Sequence, residues 1–118
     1  MSLSDLSAQD INMRVAKVKF PDAELISPIE GVDHVFIQYP VIDCDRDFPI
    51  DYCNDDALAF RLMVDNKIDL DYMPDTDTWS AEKVKQCDFN YDYCYESDNK
   101  SPSRAIAECF LKMNGVES

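Results

Sequence analysis

At 118 residues and 46% hydrophobic content, the chain has the length of one domain and enough apolar residues to bury a core, which excludes wholesale disorder. Twenty-four acids against eleven bases give a formal charge of -13, a field that repels phosphate backbones and anionic headgroups. Neither direct nucleic-acid binding nor a membrane surface is therefore expected, and the longest uninterrupted apolar run, 57–60, is far too short for a membrane span.

The acids comprise eighteen Asp and six Glu. Asp favours turns and helix starts over helix interiors, so much of the charge is expected at loops and element ends. The opening MSLSDLSAQD has neither a basic stretch nor an apolar run, so no secretory leader is expected. Residues 1–6 are read as a disordered or vector-derived start, ahead of a single domain over 7–116. Five cysteines, at 44, 53, 87, 94 and 109, form an odd set with no export signal, which points to reduced thiols in a cytoplasm.

In chain order, Ser7-Ala8-Gln9-Asp10 reads as a helix start with Asp in place of the capping-box Glu, and Leu6 stands where a hydrophobic staple would. Ile11, Val15 and Val18 then recur at i, i+4 and i+7 with Arg14, Lys17 and Lys19 opposite, predicting a short amphipathic helix that ends before Pro21. "HVFIQYPVI" changes the period to two, with Val35, Ile37 and Tyr39 on one face of a strand. A shorter strand around Leu25-Ile26, turning near Gly31, precedes it. Pro40 marks an edge or a strand end.

"DCDRDFPIDYCNDD", 43–56, reads as a strand end and loop running into a helix cap. Asn54 is placed as the cap, with Asp55 and Asp56 in the first turn, where the helix dipole favours negative charge. "ALAFRLMV" is apolar nearly all round, so this helix is expected to be the most buried one. Asn66-Lys67 then turn. Ile68, Leu70 and Tyr72 alternate with Asp69 and Asp71 in a half-buried strand, and a loop from Pro74 to Thr78 leads to a further strand at Trp79. "CDFNYDYCYE", 87–96, alternates again as one strand. Ser101-Pro102 opens a last helix, Ala105, Ile106, Cys109, Phe110 and Met113 line one of its faces, and Gly115 ends it. These elements sum to an α+β fold, a small and mostly antiparallel sheet packed with about three helices.

"DIN.RVA" (10–16), "DYCNDDALAF" (51–60), "NKI" (66–68), Trp79 and "SPSRAIAECFLKM" (101–113) follow one another in an order that resembles the NinX-like proteins, small tailed-phage and prophage proteins built on a domain of unknown function. The likeness runs from about Asp10 to Gly115. Its motifs are caps and helix faces, and no catalytic role comes with the family. At the last helix the family usually carries Asn-Pro with Leu before the Arg, where this chain has Ser101-Pro102-Ser103-Arg104; the cap chemistry survives the change. The resemblance implies expression inside a bacterial host cell during infection or lysogeny.

No residue set rises to a catalytic or metal site. Asp43, Asp45 and Asp47 match the first three ligand positions of an EF-hand, but Phe48 replaces the turn glycine and Asn54 the closing Glu. Asp88, Asn90 and Asp92 fail in the same way, with Tyr93 and Asn99 at those two positions. The cysteine spacings, eight residues between Cys44 and Cys53 and six between Cys87 and Cys94, do not suit zinc, and Cys109 belongs to a helix core face. His34 is the single histidine. The chain has two glycines and no phosphate-cradling loop, and no cofactor is expected.

The charge points instead to a binding protein that docks a basic host or phage protein, in its most concrete form as a mimic of nucleic-acid charge. The candidate surface is Asp43, Asp45, Asp47 and Asp51, extended by Asp69, Asp71, Asp75 and Asp77. Two alternatives belong to other classes. One is a small enzyme with an unrecognised carboxylate or Cys site; the other is a non-catalytic structural or oligomeric accessory protein. The oligomeric state is left open.

Overall fold

The structure, a computed structural model, describes residues 2–21, 24–26, 33–38, 48–87 and 90–116. Ser7 caps the first helix, α1 (Ala8–Lys19), by accepting the Asp10 N–H at 3.1 Å. Ile11, Val15 and Ala16 are buried along its inner face, Lys17 and Lys19 sit in its last turn, and it ends at Phe20 before Pro21. Ahead of α1, Leu3–Asp5 form a 3-10 turn that buries Leu3.

Two three-stranded antiparallel sheets follow among the described residues. The first is β1 (Glu24–Ile26), β2 (Val35–Gln38) and β3 (Phe48–Ile50), with β2 in the middle. Within 43–56, expected to be a strand end and loop, Phe48–Ile50 form this strand with Pro49 at its centre. As an edge strand β3 tolerates it, since a proline there need not donate to a neighbour. The turn at Gly31 and the strand end at Tyr39 and Pro40 lie outside the described residues.

Helix α2 (Asp56–Asn66) is capped by Asp55, one residue later than expected. Its Oδ1 accepts the N–H groups of Ala57 (3.0 Å) and Leu58 (3.2 Å). Asn54 turns away from the helix and donates through Nδ2 to Asp33 and Asp51. At the other end Lys67 takes the left-handed conformation at φ 56°, and the Ile68 N–H reaches back to Met63 O at 3.0 Å.

The second sheet contains β4 (Asp69–Met73), β5 (Thr78–Cys87) and β6 (Asn90–Asn99), in that order. The stretch 87–96 is therefore not one strand. Cys87 ends β5 and is paired with Asn90 at the start of β6. The reversal is invisible in the sequence because no Gly or Pro marks it.

Helix α3 (Pro102–Met113) is the hub, packed against α1, α2, β5 and β6. Ser101 accepts the Arg104 N–H at 3.2 Å, Pro102 opens the first turn, and Gly115 at φ 75° lets Val116 N–H bond to Leu111 O at 2.9 Å. Ala105, Ile106, Cys109, Phe110 and Leu111 are all buried. This corrects the expectation for α2, which buries only Ala59 and Leu62 and leaves Phe60 60% and Val64 43% exposed. Its apolar sequence cannot distinguish a central helix from one covered on a single side.

Buried polar pairs join these parts. Asn12, fully buried on α1, donates to Asp33 O and Asp51 Oδ1 (both 2.8 Å) and accepts the Cys53 N–H at 3.1 Å. Ser103 on α3 donates to Asp56 on α2. Arg104 forms an ion pair with the buried Glu108 at 2.9 Å and also donates to the carbonyls of Leu3 (3.1 Å) and Leu6 (2.6 Å), tying the N-terminal turn to α3. Among the described residues no buried side-chain nitrogen or oxygen lacks a hydrogen-bond partner.

A candidate acidic docking face

Strand alternation divides the second sheet into two unlike faces. Leu70 pairs with Ala81 and Ala81 with Ser97, and the Ser97 hydroxyl donates to Glu108 on α3, so this face turns inward. Tyr72 and Trp79 continue it with ring centroids 5.1 Å apart. The opposite face carries Asp69, Asp71, Glu82, Glu96 and Asp98. Asp69 pairs with Glu82, and Glu82 with Glu96, so three carboxylates stand side by side across three strands. In the next row Asp71 and Asp98 flank Ser80, whose hydroxyl donates diagonally to Glu96 at 3.4 Å.

Adjacent strands lie about 4.8 Å apart. Like charges directly opposite each other destabilise a sheet by a few tenths of a kcal/mol to about 1 kcal/mol per pair. Taken alone, like-charge neighbours of this kind would cost the fold that much. Solvent keeps the cost modest, because Asp69 and Glu96 are exposed.

The eight aspartates expected from the sequence are distributed unevenly. Asp43, Asp45 and Asp47 lie outside the described residues. Asp51 sits at the junction of α1 and the α2 cap, where it accepts from Asn12 and from both the backbone and the side chain of Asn54. Asp69 and Asp71 lie on the acidic face. Asp75 and Asp77 occupy the exposed turn between β4 and β5, and Asp77 holds φ 53° while accepting the Tyr72 hydroxyl at 2.7 Å. That hydrogen bond favours the neutral phenol and raises the Tyr72 pKa. Glu82, Glu96 and Asp98 are missed by sequence reasoning. Glu96 and Asp98 do alternate with Tyr95 and Ser97, which signals a shared face, but only the strand register brings them beside Asp69 and Asp71.

The described thiols have different surroundings from those of a nucleophile. Burial pushes the Cys53 thiol up to about 12, against a smaller opposing pull from Arg104, and its Sγ faces Ala8 O at 3.7 Å. Cys109 is fully buried on α3 and donates to Tyr95 O. His34 is half-buried just before β2. Among the described residues no group of three His, Cys, Asp or Glu side chains is arranged to hold a metal ion, and no helix is long and apolar enough to cross a membrane. No family model matches the chain, and no curated protein matches it.

Proposed function

We propose that the protein is a small acidic binding protein that docks a basic host or phage protein, acting inside a bacterial cell as a phage or prophage accessory factor. One observation carries this reading: the row Asp69, Glu82 and Glu96, flanked by Asp71 and Asp98, on one face of a regular sheet. Three carboxylates aligned across the strands offer a cationic partner a preorganised array. The rigidity of the strands lowers the entropy lost on binding, and the complementary field speeds encounter. Occupation of a nucleic-acid cleft is the sharpest form of the proposal, because two carboxylate rows on strands offer the regular negative charge that such clefts receive. The NinX-like resemblance supplies the cellular context. The alternative of a Cys-centred enzyme draws no support from Cys53, whose thiol stays protonated at neutral pH.

The test is capture from nuclease-treated bacterial lysate on the immobilised protein, eluted with a salt gradient, followed by titration with the purified partner. A basic protein released at moderate salt is expected. Its affinity should fall at least about tenfold for the variant combining Asp69→Asn, Glu96→Gln and Asp98→Asn, as loss of several charge contacts requires. A second variant, Asp43→Asn with Asp45→Asn and Asp47→Asn, measures the share carried by the other acidic stretch. If both variants bind the partner as the wild type does at low salt, the acidic surfaces do not dock it.

A further inference from the structure

The exposed side of α2 is apolar within an acidic stretch of the described surface. Ala57, Phe60 and Val64 recur at i, i+3 and i+7 along it, the spacing at which one helix packs on another. Phe60 and Val64 are 60% and 43% exposed. Phe60 stands as a ridge between two depressions. One, of about 340 Å³, is bounded by Ala57, Arg61 and Val64. The other is a cleft of about 210 Å³ between α2, β4 and the start of α3, with Ala59, Met63, Leu70, Pro102 and Ile106 in its walls. Asp56 stands at its margin, and Tyr72 follows Leu70 on the same face of β4 with 46% of its surface exposed.

The charge around this apolar surface restricts what can cover it. From 55 to 77, the unit formed by α2, β4 and the following turn exposes seven aspartates against Arg61 and Lys67. A second copy would bring the same sign of charge to the contact, in a chain already at -13. A helix with one apolar face and basic flanks meets both features at once. We infer that the α2 face and its cleft form the anchoring half of the docking surface, and that the occupant is a basic amphipathic helix of the partner protein.

This rests on the docking function proposed above and adds the shape of what is recognised. The two surfaces meet at β4, which is the edge strand of its sheet: Leu70 and Tyr72 point to the cleft side, and Asp69 and Asp71 to the acidic face. An apolar stripe seated beside Phe60 thus leaves Lys or Arg side chains within reach of that edge. The apolar contact would supply affinity, and the carboxylates orientation and on-rate.

Three synthetic 18-residue peptides titrated into the labelled full-length protein test the inference: a helical Leu/Lys amphipath, a Ser/Lys peptide of equal charge, and a Leu/Glu amphipath. Phe60→Ser removes the ridge without touching the buried core. The Leu/Lys peptide is expected to bind best and to lose at least about tenfold in affinity to Phe60→Ser, the loss expected when one aromatic side chain is no longer buried. The weaker, salt-sensitive binding of the Ser/Lys peptide should be unchanged by Phe60→Ser. Equal Leu/Lys affinity for wild type and Phe60→Ser would overturn the inference, as would equal or tighter binding of the Leu/Glu peptide. So would sedimentation showing a dimer abolished by Phe60→Ser, which would assign the face to a second copy. The two proposals fail separately: insensitivity of Ser/Lys binding to Asp69→Asn with Glu96→Gln and Asp98→Asn counts against the acidic face, whereas the Phe60 ratio alone judges the cleft.

Discussion

Arg104→Met is the most informative single change, because Arg104 serves three partners at once. Its Nε holds Glu108 at 2.9 Å, and its Nη2 donates to Leu3 O at 3.1 Å and Leu6 O at 2.6 Å. Glu108 is 1% exposed, so without the guanidinium its charge would keep only the Ser97 hydroxyl at 3.1 Å and the Asn99 amide at 3.4 Å. Breaking one side of a buried ion pair costs about 3–5 kcal/mol. A domain of this size has a total stability of about 5–15 kcal/mol, so the variant should lose a large share of it. Replacing both partners, Arg104→Met with Glu108→Gln, leaves no buried charge and should recover most of the loss. The assay is urea unfolding of the wild type, both single variants and the double variant at one pH, compared as a double-mutant cycle. A single-variant loss below about 1 kcal/mol would mean that water reaches Glu108 and the pair is not buried in its energetics. A double variant as unstable as Arg104→Met would mean that the two carbonyl contacts, and not the ion pair, carry the effect.

Three other changes have definite signs. Asp69→Asn with Glu96→Gln removes both like-charge neighbours of Glu82 and should raise stability by about 0.5–1 kcal/mol in low salt, with the gain shrinking as salt screens the row; denaturant titrations at two ionic strengths check this. Lys67→Gly relieves the left-handed backbone at φ 56° and should stabilise by about 0.5–1 kcal/mol, read as a shift in thermal midpoint. Cys53 is raised on folding from 9.0 to about 12, so the folded state keeps a proton that the unfolded state releases. Its contribution is therefore fully present below pH 9 and is lost toward pH 12, with a slope of about 1.4 kcal/mol per pH unit. Cys53→Ala should flatten the fall in stability between pH 9 and 10.5 relative to wild type, and an identical alkaline slope in both proteins would refute that origin.

The helix ends were legible because their chemistry is local. Ser7 accepts an N–H three residues on, as does Ser101, and Pro102 and Gly115 act through their own backbone angles. The one-residue error at α2 also has a local cause. Asn54 and Asp55 are both competent caps, and the choice passed to Asp33 and Asp51, which take the Asn54 amide from outside the helix.

By itself, then, the sequence determined the three helices, the caps at Ser7 and Ser101, the inward face of α3 and the acidity. Each depends on spacing within a few residues or on composition. Tertiary structure alone decided which helix is central, because an all-apolar helix is compatible with one covered side or two, and α3 rather than α2 received the sheet. It also decided where the charge gathers. Alternation places Asp69 and Asp71, or Glu96 and Asp98, on one face of their own strands, but a carboxylate row exists only when registers align Asp69 with Glu82 and Glu82 with Glu96. Register is a property of pairs of strands, set by which side chains the core accepts, and no single strand carries it.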